Sequence, residues 1–323
     1  MSTISVIIPV YNGETTIIET IESVQQQTFS DFELIVINDG STDRTLERLA
    51  TVKDSRLKVV SYENGGVSVA RNHGMAHATG EFISFIDADD LWTLDKLELQ
   101  LAALQKHPEA GVAYSWTSNM SDEGKSFDIG HSPIFTGNVY PELLVTNFIA
   151  NGSNLLIRRE AIESVGDFDP ALSGCADWDF YVRLAARWHF VVVPKLQILY
   201  RQSSGSMSSK IETMEKENIF VIEKIFQTAP PELQSLKKQS LAIMYQYLAG
   251  MCLARGNNLS DVKQASQKLQ MAVRLYPQIL LDRLTQRYVI KCLLMQLVTP
   301  KLAKSFTRSV SKARNIGDPR LKP

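Results

Sequence analysis

Three closely spaced carboxylates follow a short apolar run in the first third of the chain. Asp87, Asp89 and Asp90 come directly after residues 82–86, whose composition predicts a strand buried on both faces. In open α/β folds, ligands bind at the carboxyl ends of such strands. Acids this close repel one another unless a cation lies among them, and oxygen ligands suit a hard divalent ion that bridges to a phosphorylated substrate. The segment therefore predicts metal-assisted chemistry on a phosphorylated ligand.

Two further acids, Asp177 and Asp179, lie at the start of a predicted helix later in the chain. Acids at this position commonly cap a helix or interact with its dipole, so both could be purely structural. Trp178, between them, could stack on a sugar ring or be buried in the core. On its own, this segment leaves the structural and the functional interpretation open.

Polar turns also follow the first and second predicted strands. Pro9 ends the first strand, and the loop after it could place the Tyr11 ring beside a flat base. The helix that begins near Glu14 favours anionic groups at its start. Asp39 ends the second strand, where its carboxylate could accept a hydrogen bond from the imide nitrogen of a uracil or thymine ring. Together these turns favour a nucleotide site.

Arg71 lies in a predicted helix that follows the glycine pair Gly65-Gly66. Paired glycines allow close approach by a ligand, but they also make an ordinary turn. Arg71 accordingly has two interpretations, a solvated cation on a helix or a residue that faces a nucleotide or its phosphates.

The elements that must position these residues alternate along the first hundred residues, which indicates a parallel α/β sheet. Strands are predicted at 4–9, 33–38, 57–61 and 82–86, and helices at 15–27, 43–51 and 67–78, with Gly80 as a stop signal. Beyond them the patterns predict strands at 111–116 and 153–157, helices at 159–165 and 179–187, a strand pair at 190–193 and 197–200, and a polar excursion at 120–137. After about residue 209 strand signals vanish and apolar residues recur at helical spacing, which predicts a helical C-terminal region.

The last part of this region is strongly basic. From Arg283 onward, ten Lys and Arg residues face a single acid, Asp318, and they alternate with leucine and other apolar residues. This basic amphipathic pattern suits peripheral contact with an anionic membrane surface. It suits equally a solvated helix face that packs on the rest of the protein.

Composition narrows the class of protein. The 323 residues are 44% hydrophobic with a formal net charge of -1, which indicates a globular chain and argues against nucleic acid as a partner. The three cysteines show neither a Cys-x-x-Cys pair nor a disulfide-framework spacing, so we expect a reducing compartment. No signal peptide precedes the first strand, and no apolar run reaches the roughly 20 residues that cross a bilayer. We expect a cytoplasmic protein, either free or peripheral on the inner face of the membrane.

Taken in order, these segments resemble the family-2 glycosyltransferases, which have the GT-A nucleotide-diphospho-sugar transferase fold. The matching stretches are 6–12, 39–43, 64–72, 80–90 and 176–184. The resemblance implies an α/β fold with a Rossmann-like, mostly parallel sheet flanked by helices and a helical C-terminal extension. It implies a catalytic domain at 1–208, with a donor part at 1–109 and an acceptor part at 110–208, followed by the helical region 209–323.

The resemblance also implies a role for each candidate residue. Asp39 would contact the base of the nucleotide, Asp87 would lie near the ribose, and Asp89 would bind a divalent ion, Mg or Mn, on the donor diphosphate. Other donor-site candidates follow from the same match: Pro9, Tyr11, Glu14, Arg71 and Arg201. Asp177 aligns with the general base that takes a proton from an acceptor hydroxyl, and the reaction would then invert the anomeric configuration.

The implied function is a metal-dependent transfer of a sugar from a nucleoside-diphosphate sugar, expected to be uridine-based, to a glycan, lipid-linked or small-molecule hydroxyl. Two positions depart from the family pattern: Ala176 where an acid usually precedes the base, and Ser203 where a histidine is common. A non-catalytic scaffold with a degenerate sugar site therefore stays open as an alternative. A nucleotidyltransferase is another, but it would need a basic, glycine-rich loop after the first strand, and residues 9–13 contain no Lys or Arg.

Overall fold

The computed structural model of the protein describes residues 2–121, 126–202, 211–255 and 259–297. The chain divides into two compact units, Met1–Ser208 and Ser209–Pro323. Ser203 and the basic segment after residue 297 lie outside the described residues.

A mixed sheet runs through the first unit. Its strands are β1 (Ile4–Val10), β2 (Phe32–Asp39), β3 (Leu57–Tyr62), β4 (Phe82–Phe85), β5 (Leu91–Trp92), β6 (Ala110–Met120), β7 (Ser126–His131), β8 (Leu156–Arg158) and β9 (His189–Arg201). In space they follow the order β3-β2-β1-β4-β8-β6-β9-β5, and β7 pairs with β6 off this path.

The first four strands are parallel to one another, with β1 between β2 and β4 and with β3 at the edge. Every residue of β1 is buried, and all but one of β2, as expected for apolar strands that are covered on both faces. Because these strands point the same way, the segments after Val10, Asp39 and Phe85 meet at one edge of the sheet. The candidate donor residues lie on those segments.

The second half of the sheet is mostly antiparallel. β8 pairs antiparallel with β4 and β6, and β5 pairs antiparallel with β9, whereas β6 and β9 are parallel. The predicted α/β fold class is confirmed, but parallel pairing is limited to the first four strands and the β6–β9 pair.

Helices of the first unit are α1 (Ile17–Gln25), α2 (Thr45–Leu49), α3 (Val67–His77), α4 (Lys96–Lys106), α5 (Tyr140–Val145), α6 (Arg159–Val165) and α7 (Ala176–Ala185). The sequence patterns missed α4 and α5, although Leu97, Leu101 and Leu104 recur at helical spacing and are buried. Gly80 does not end α3, because the helix stops at His77. A Cβ at Gly80 would lie 2.6 Å from the Ser5 amide nitrogen of β1, so this glycine permits close backbone approach.

Three other predictions need correction. The predicted strands at 190–193 and 197–200 form one continuous strand, β9. The pairing of β9 with β6 shifts register at a bulge around the exposed Pro194, so the strand continues past the proline. The polar excursion at 120–137 contains β7. The strand predicted at 153–157 is the shorter β8, and α7 begins three residues earlier than expected, at Ala176.

The second unit is helical over its described residues, which confirms the predicted C-terminal helices. Its helices are α8 (Ile211–Thr228), α9 (Lys237–Arg255), α10 (Leu259–Leu275) and α11 (Arg283–Leu297), with 3-10 turns at Pro231–Leu236 and Pro277–Leu281. A Cβ at Gly250 of α9 would lie 2.5 Å from the Tyr288 hydroxyl of α11, so the glycine lets these helices pack closely. Among the helices that the structure describes, none has the length and apolar character to cross a membrane.

Candidate active site

A buried arginine joins two acids that lie 90 residues apart in the chain. Arg71 of α3 donates a hydrogen bond from Nη2 to Asp87 Oδ1 over 2.6 Å, and its side chain is only 5% exposed. Burial alone would lower the pKa of Arg71, but the negative charges of Asp87 and Asp177 outweigh this effect and the pKa is raised. The loop after β4 and the start of α7 therefore converge on one guanidinium.

Asp177 lies in the first turn of α7 and is half-buried. Its Oδ2 accepts a hydrogen bond from Asn147 Nδ2 over 3.1 Å, and its Oδ1 accepts one from the Trp178 amide over 2.8 Å. Burial raises the pKa of Asp177 above its ordinary value, although the Arg71 charge and these two donors oppose the rise. A carboxylate with a raised pKa is the kind of group that serves as a general base near neutral pH.

Trp178 and Tyr181 hold the start of α7 in place. Trp178 is buried and donates from Nε1 to the Leu143 carbonyl over 2.8 Å, so it is a core residue and not a sugar-stacking one. The Tyr181 hydroxyl donates to the Asn151 carbonyl over 2.9 Å. Burial raises the pKa of Tyr181 far above its ordinary value, so this hydroxyl stays protonated beside Asp177.

The acids after β4 do not form the three-carboxylate cluster that their spacing suggested. Asp90 is fully buried and turns into the core, where Oδ1 accepts from the Arg201 amide over 2.9 Å and Oδ2 from Ser153 Oγ over 2.5 Å. Burial, and then the charges of Asp89 and Asp87, raise the pKa of Asp90 well above its ordinary value. Only Asp87 and Asp89 of the three are partly exposed.

A divalent ion fits this pair of acids. Among the described residues there is no group of three or more His, Cys, Asp or Glu side chains that could hold a metal without help. Magnesium, however, is commonly bound through one or two carboxylates and takes its other ligands from substrate phosphates and water. Asp89, with Asp87 beside it, matches that kind of site.

Arg201, at the end of β9, stabilises the segment around Asp89 through hydrogen bonds. Its Nε donates to the Asp89 carbonyl over 2.8 Å, and its Nη2 donates to Glu19 Oε2 of α1 over 2.6 Å. The side chain is 5% exposed. These contacts give Arg201 a structural role at a position predicted to lie near the phosphates.

Asp39 is held by the turn that begins α3. Its Oδ1 and Oδ2 accept from the amides of Gly65 and Gly66 over 2.8 and 2.9 Å, and Gly66 adopts a φ of +88° that other residues rarely reach. A carboxylate has further acceptor capacity beyond two such bonds. Asp39 thereby fixes the start of the helix that carries Arg71.

The loop after β1 is tied to the loop after β2. Asn12 adopts a φ of 54°, and its Oδ1 accepts from the Thr42 amide over 2.8 Å. The Glu14 carboxylate accepts from the Arg44 amide over 3.0 Å. Tyr11 between β1 and this clamp is 53% exposed, whereas Pro9 is buried within β1. The Tyr11 side chain is therefore the aromatic group that this loop exposes to solvent.

Sequence reasoning missed the segment of residues 147–154, which lies between the two halves of the site. Asn147 contacts Asp177, Gly152 lies against Arg71, and Ser153 Oγ accepts from the Asp87 amide over 2.9 Å. The sequence Asn-Gly-Ser-Asn at 151–154 carried the available signal, because small polar residues with side-chain donors are typical of turns that contact other loops.

Comparison with known proteins identifies the family of this chain. A family model described as glycosyltransferase-like family 2 matches residues 5–250. The chain therefore belongs to the family-2 glycosyltransferases.

An uncharacterized glycosyltransferase of Rickettsia conorii is 43% identical over 150 residues, which are 46% of this chain and 24% of that protein. Escherichia coli WfgD, a UDP-Glc:α-D-GlcNAc-diphosphoundecaprenol β-1,3-glucosyltransferase, is 41% identical over 105 residues, or 32% of this chain and 42% of that enzyme. The chain thus spans less than half the length of these curated relatives.

The fold also matches a solved structure, the mannosyltransferase PcManGT from Pyrobaculum calidifontis in complex with GDP-Man and Mn2+. The TM-score is 0.58 at 20% identity, over 95% of this chain and 83% of that chain. At this identity the match establishes a common fold, that of glycosyltransferases.

Proposed function

We propose that this chain is a divalent-metal-dependent, inverting glycosyltransferase that moves a sugar from a uridine-diphosphate sugar to a hydroxyl group. The acceptor hydroxyl would belong to a glycan, a lipid-linked glycan or a small molecule. The proposal rests on one observation above all: Arg71 brings Asp87, on the donor loop, and Asp177, at the start of α7, into one electrostatic cluster. Sugar transfer requires the donor and the acceptor hydroxyl to be held at one place, and this cluster brings a candidate group for each together.

The donor half follows from the loops at the carboxyl edge of the sheet. Asp89 would hold the metal ion together with the donor diphosphate, and Asp87 would lie beside the ribose. When bound, the ion would supply positive charge that stabilises the departing diphosphate. A uridine base is supported by the UDP-glucose donor of the 41% identical relative. Asp39 and the exposed Tyr11 ring are the residues proposed to receive that base.

The acceptor half centres on Asp177. Its carboxylate would accept the proton of the acceptor hydroxyl while that oxygen bonds to the anomeric carbon and the bond from this carbon to the diphosphate oxygen breaks. Attack opposite the leaving group inverts the configuration at that carbon. The raised pKa of Asp177 lets it hold the proton after the step, and the Asn147 donor keeps its Oδ2 oriented.

Transfer can be tested with purified protein, manganese and a panel of nucleotide sugars, by following both hydrolysis and transfer. We expect activity with a UDP-sugar and a loss of about 10³-fold or more in D177N, because proton transfer from the acceptor is removed. D89A should lose activity and manganese-linked nucleotide binding together. D167N, which changes an exposed acid on the turn before α7, is the matched control and should retain both.

Three results would overturn the proposal. Nucleotide binding that does not depend on manganese, without turnover, would favour a scaffold with a degenerate site. Formation of a nucleotide sugar from a sugar phosphate and UTP would favour a nucleotidyltransferase. Full activity in D177N would remove the assigned base.

A further inference from the structure

Charge is segregated along the chain in a way that the sugar site does not explain. Ten of the 34 Lys and Arg residues, but only one of the 35 Asp and Glu residues, follow Asp282. The segment after Asp282 therefore carries a net charge of about +9, and the rest of the chain about -10. A positive region on a protein whose remainder is negative selects for an anionic partner.

The described start of this basic segment, α11, also presents apolar side chains to solvent. Ile290 is 56% exposed and Leu293 is 53% exposed, with Leu294 exposed beside them. Leu281, in the 3-10 turn that leads into α11, is 80% exposed. Isolated exposed leucines are ordinary, but a group of them on one helix with cations indicates an interaction surface.

Positions 283, 287, 290 and 294 recur every three or four residues and lie on one face of α11. Arg283 and Arg287 are exposed toward its start, and the apolar residues follow toward its end. The α11 surface consists of Leu281, Arg283, Arg287, Ile290, Leu293 and Leu294. α11 contains three cations and no acid, so the surface has no internal charge compensation from its own helix.

A pocket adjoins this surface between α10 and α11. It has a volume of about 350 Å³ and is lined mainly by apolar side chains, among them Leu269, Val273, Val289 and Leu293. Arg274 is the charged residue of its lining. An apolar hollow with a cation at its margin has the character of a site for a hydrocarbon chain next to an anionic group.

We propose that the α11 surface binds the face of a membrane that contains anionic lipids. Leu281, Ile290, Leu293 and Leu294 would enter the boundary between headgroups and acyl chains, while Arg283 and Arg287 would pair with lipid phosphates.

Charge decides between a lipid surface and a second copy of this chain. In a two-fold dimer the same patch occurs on both subunits, so a dimer through α11 would bring its cations together. Like charges that face each other across an interface repel, whereas an anionic leaflet neutralises them. The surface therefore fits a bilayer better than it fits itself.

Sedimentation of the full chain with vesicles tests this proposal. We expect binding to vesicles of phosphatidylglycerol and phosphatidylcholine, little binding to phosphatidylcholine alone, and weakening with salt. The variant I290Q/L293Q/L294Q should bind at least tenfold more weakly, because it removes the apolar contact. R283Q/R287Q should bind roughly 30-fold more weakly and show a smaller salt dependence.

Two controls keep the result interpretable. L94Q/I134Q changes two exposed apolar residues of the first unit, 55% and 72% exposed, and should bind vesicles as the unmodified chain does. D177N should also bind them fully, because the proposal does not depend on sugar transfer. Circular dichroism of each variant should show unchanged helix content.

Equal binding of I290Q/L293Q/L294Q and the unmodified chain would overturn the proposal. Equal binding to neutral and anionic vesicles would do the same. The proposal would also be overturned if the unmodified chain bound no vesicles but formed a dimer, seen by light scattering, that I290Q/L293Q/L294Q abolished.

Discussion

Gly152 and the Arg71 guanidinium lie so close together that the structure has no room for a side chain between them. A Cβ at Gly152 would be 2.3 Å from Arg71 Nη2 and 3.1 Å from Asp87 Oδ2. The segment that carries Gly152 therefore packs against the ion pair between Arg71 of α3 and Asp87, which follows β4. Because Arg71 is buried, it cannot move away into solvent to make space.

The first prediction concerns this contact. G152A should displace the Arg71 guanidinium, break its bond to Asp87 and lower kcat/KM for the donor by at least tenfold, because leaving a buried charge unpaired costs several kcal/mol. G80A is the control, since its Cβ would meet the backbone of Ile4 and Ser5 at the start of β1, at the opposite end of the strands from the acids that follow β4. It should lower the melting temperature without a selective loss of donor use. Unchanged kinetics in G152A would show that the ion pair has no part in donor use.

The second prediction concerns pH. Asp177 accepts a proton only when it is ionised, so the rate should rise with pH through a pKa above the ordinary value of 3.8. In N147A the ionised form loses a donor, so this pKa should rise further and the acid limb of kcat should move to higher pH. A merely structural role for Asn147 would lower the rate without moving the limb. Rate profiles between pH 4 and 9 distinguish the two.

The third prediction separates two neighbouring acids. D90N keeps an acceptor oxygen for the Arg201 amide and places its NH2 donor on Ser153 Oγ, which would then accept instead of donating, so it should fold and retain manganese-dependent activity. D89N should lose manganese-linked nucleotide binding, and EDTA should abolish transfer by the unmodified chain. D90A should lose about 1–3 kcal/mol of unfolding free energy, because it leaves buried polar groups unsatisfied. Isothermal titration with manganese and UDP provides the measurement. Equal losses in D89N and D90N would contradict these assignments.

The fourth prediction concerns a lysine buried in the core. Lys96 of α4 donates from Nζ to Ser84 Oγ over 2.5 Å and lies 3.9 Å from the centre of the Trp92 ring. Burial lowers the pKa of Lys96 well below its ordinary value of 10.5, so there is a pH range below 10.5 in which the unfolded chain holds a proton there that the folded chain releases. K96M should therefore raise the free energy of unfolding at pH 7 by about 1–3 kcal/mol, and the gain should shrink as pH rises toward 10.

K106M, which changes an exposed lysine at the end of the same helix, is the control and should change stability by less than about 0.5 kcal/mol. Urea unfolding at pH 7 and pH 9.5 gives both values. A loss of stability in K96M at both pH values would mean that the charged ammonium is satisfied in the core.

The first four strands could be predicted to within one or two residues because their signals are local. Apolar runs such as 4–10 and 32–39 end in polar turns, and parallel pairing then brings Asp39 and Asp87 to one edge. The identity of the family followed from the order of these motifs.

The rest depends on contacts that sequence order does not reveal. Asp90 has the same residue type as Asp89, and only the tertiary positions of Ser153 and Arg201 turn it into the core. The resemblance implied a place for Arg201 near the donor phosphates, but no sequence pattern indicated its contacts with the Asp89 carbonyl and with Glu19, which lie 112 and 182 residues earlier in the chain. Asn147 lies in no recognisable sequence motif, so its hydrogen bond to Asp177 could not be predicted.

The end of β9 reaches the segment that follows β4, where Arg201 contacts the Asp89 carbonyl and Glu19 of α1. The two halves of this unit are consequently not interchangeable modules. A chimera that takes residues 110–208 from another family member would keep the segment around Asp89 in place only if the incoming strand also carried a residue that bonds to Glu19 and to the Asp89 carbonyl. Engineering of acceptor choice should therefore leave the end of β9 untouched and begin with the segment around Asn147.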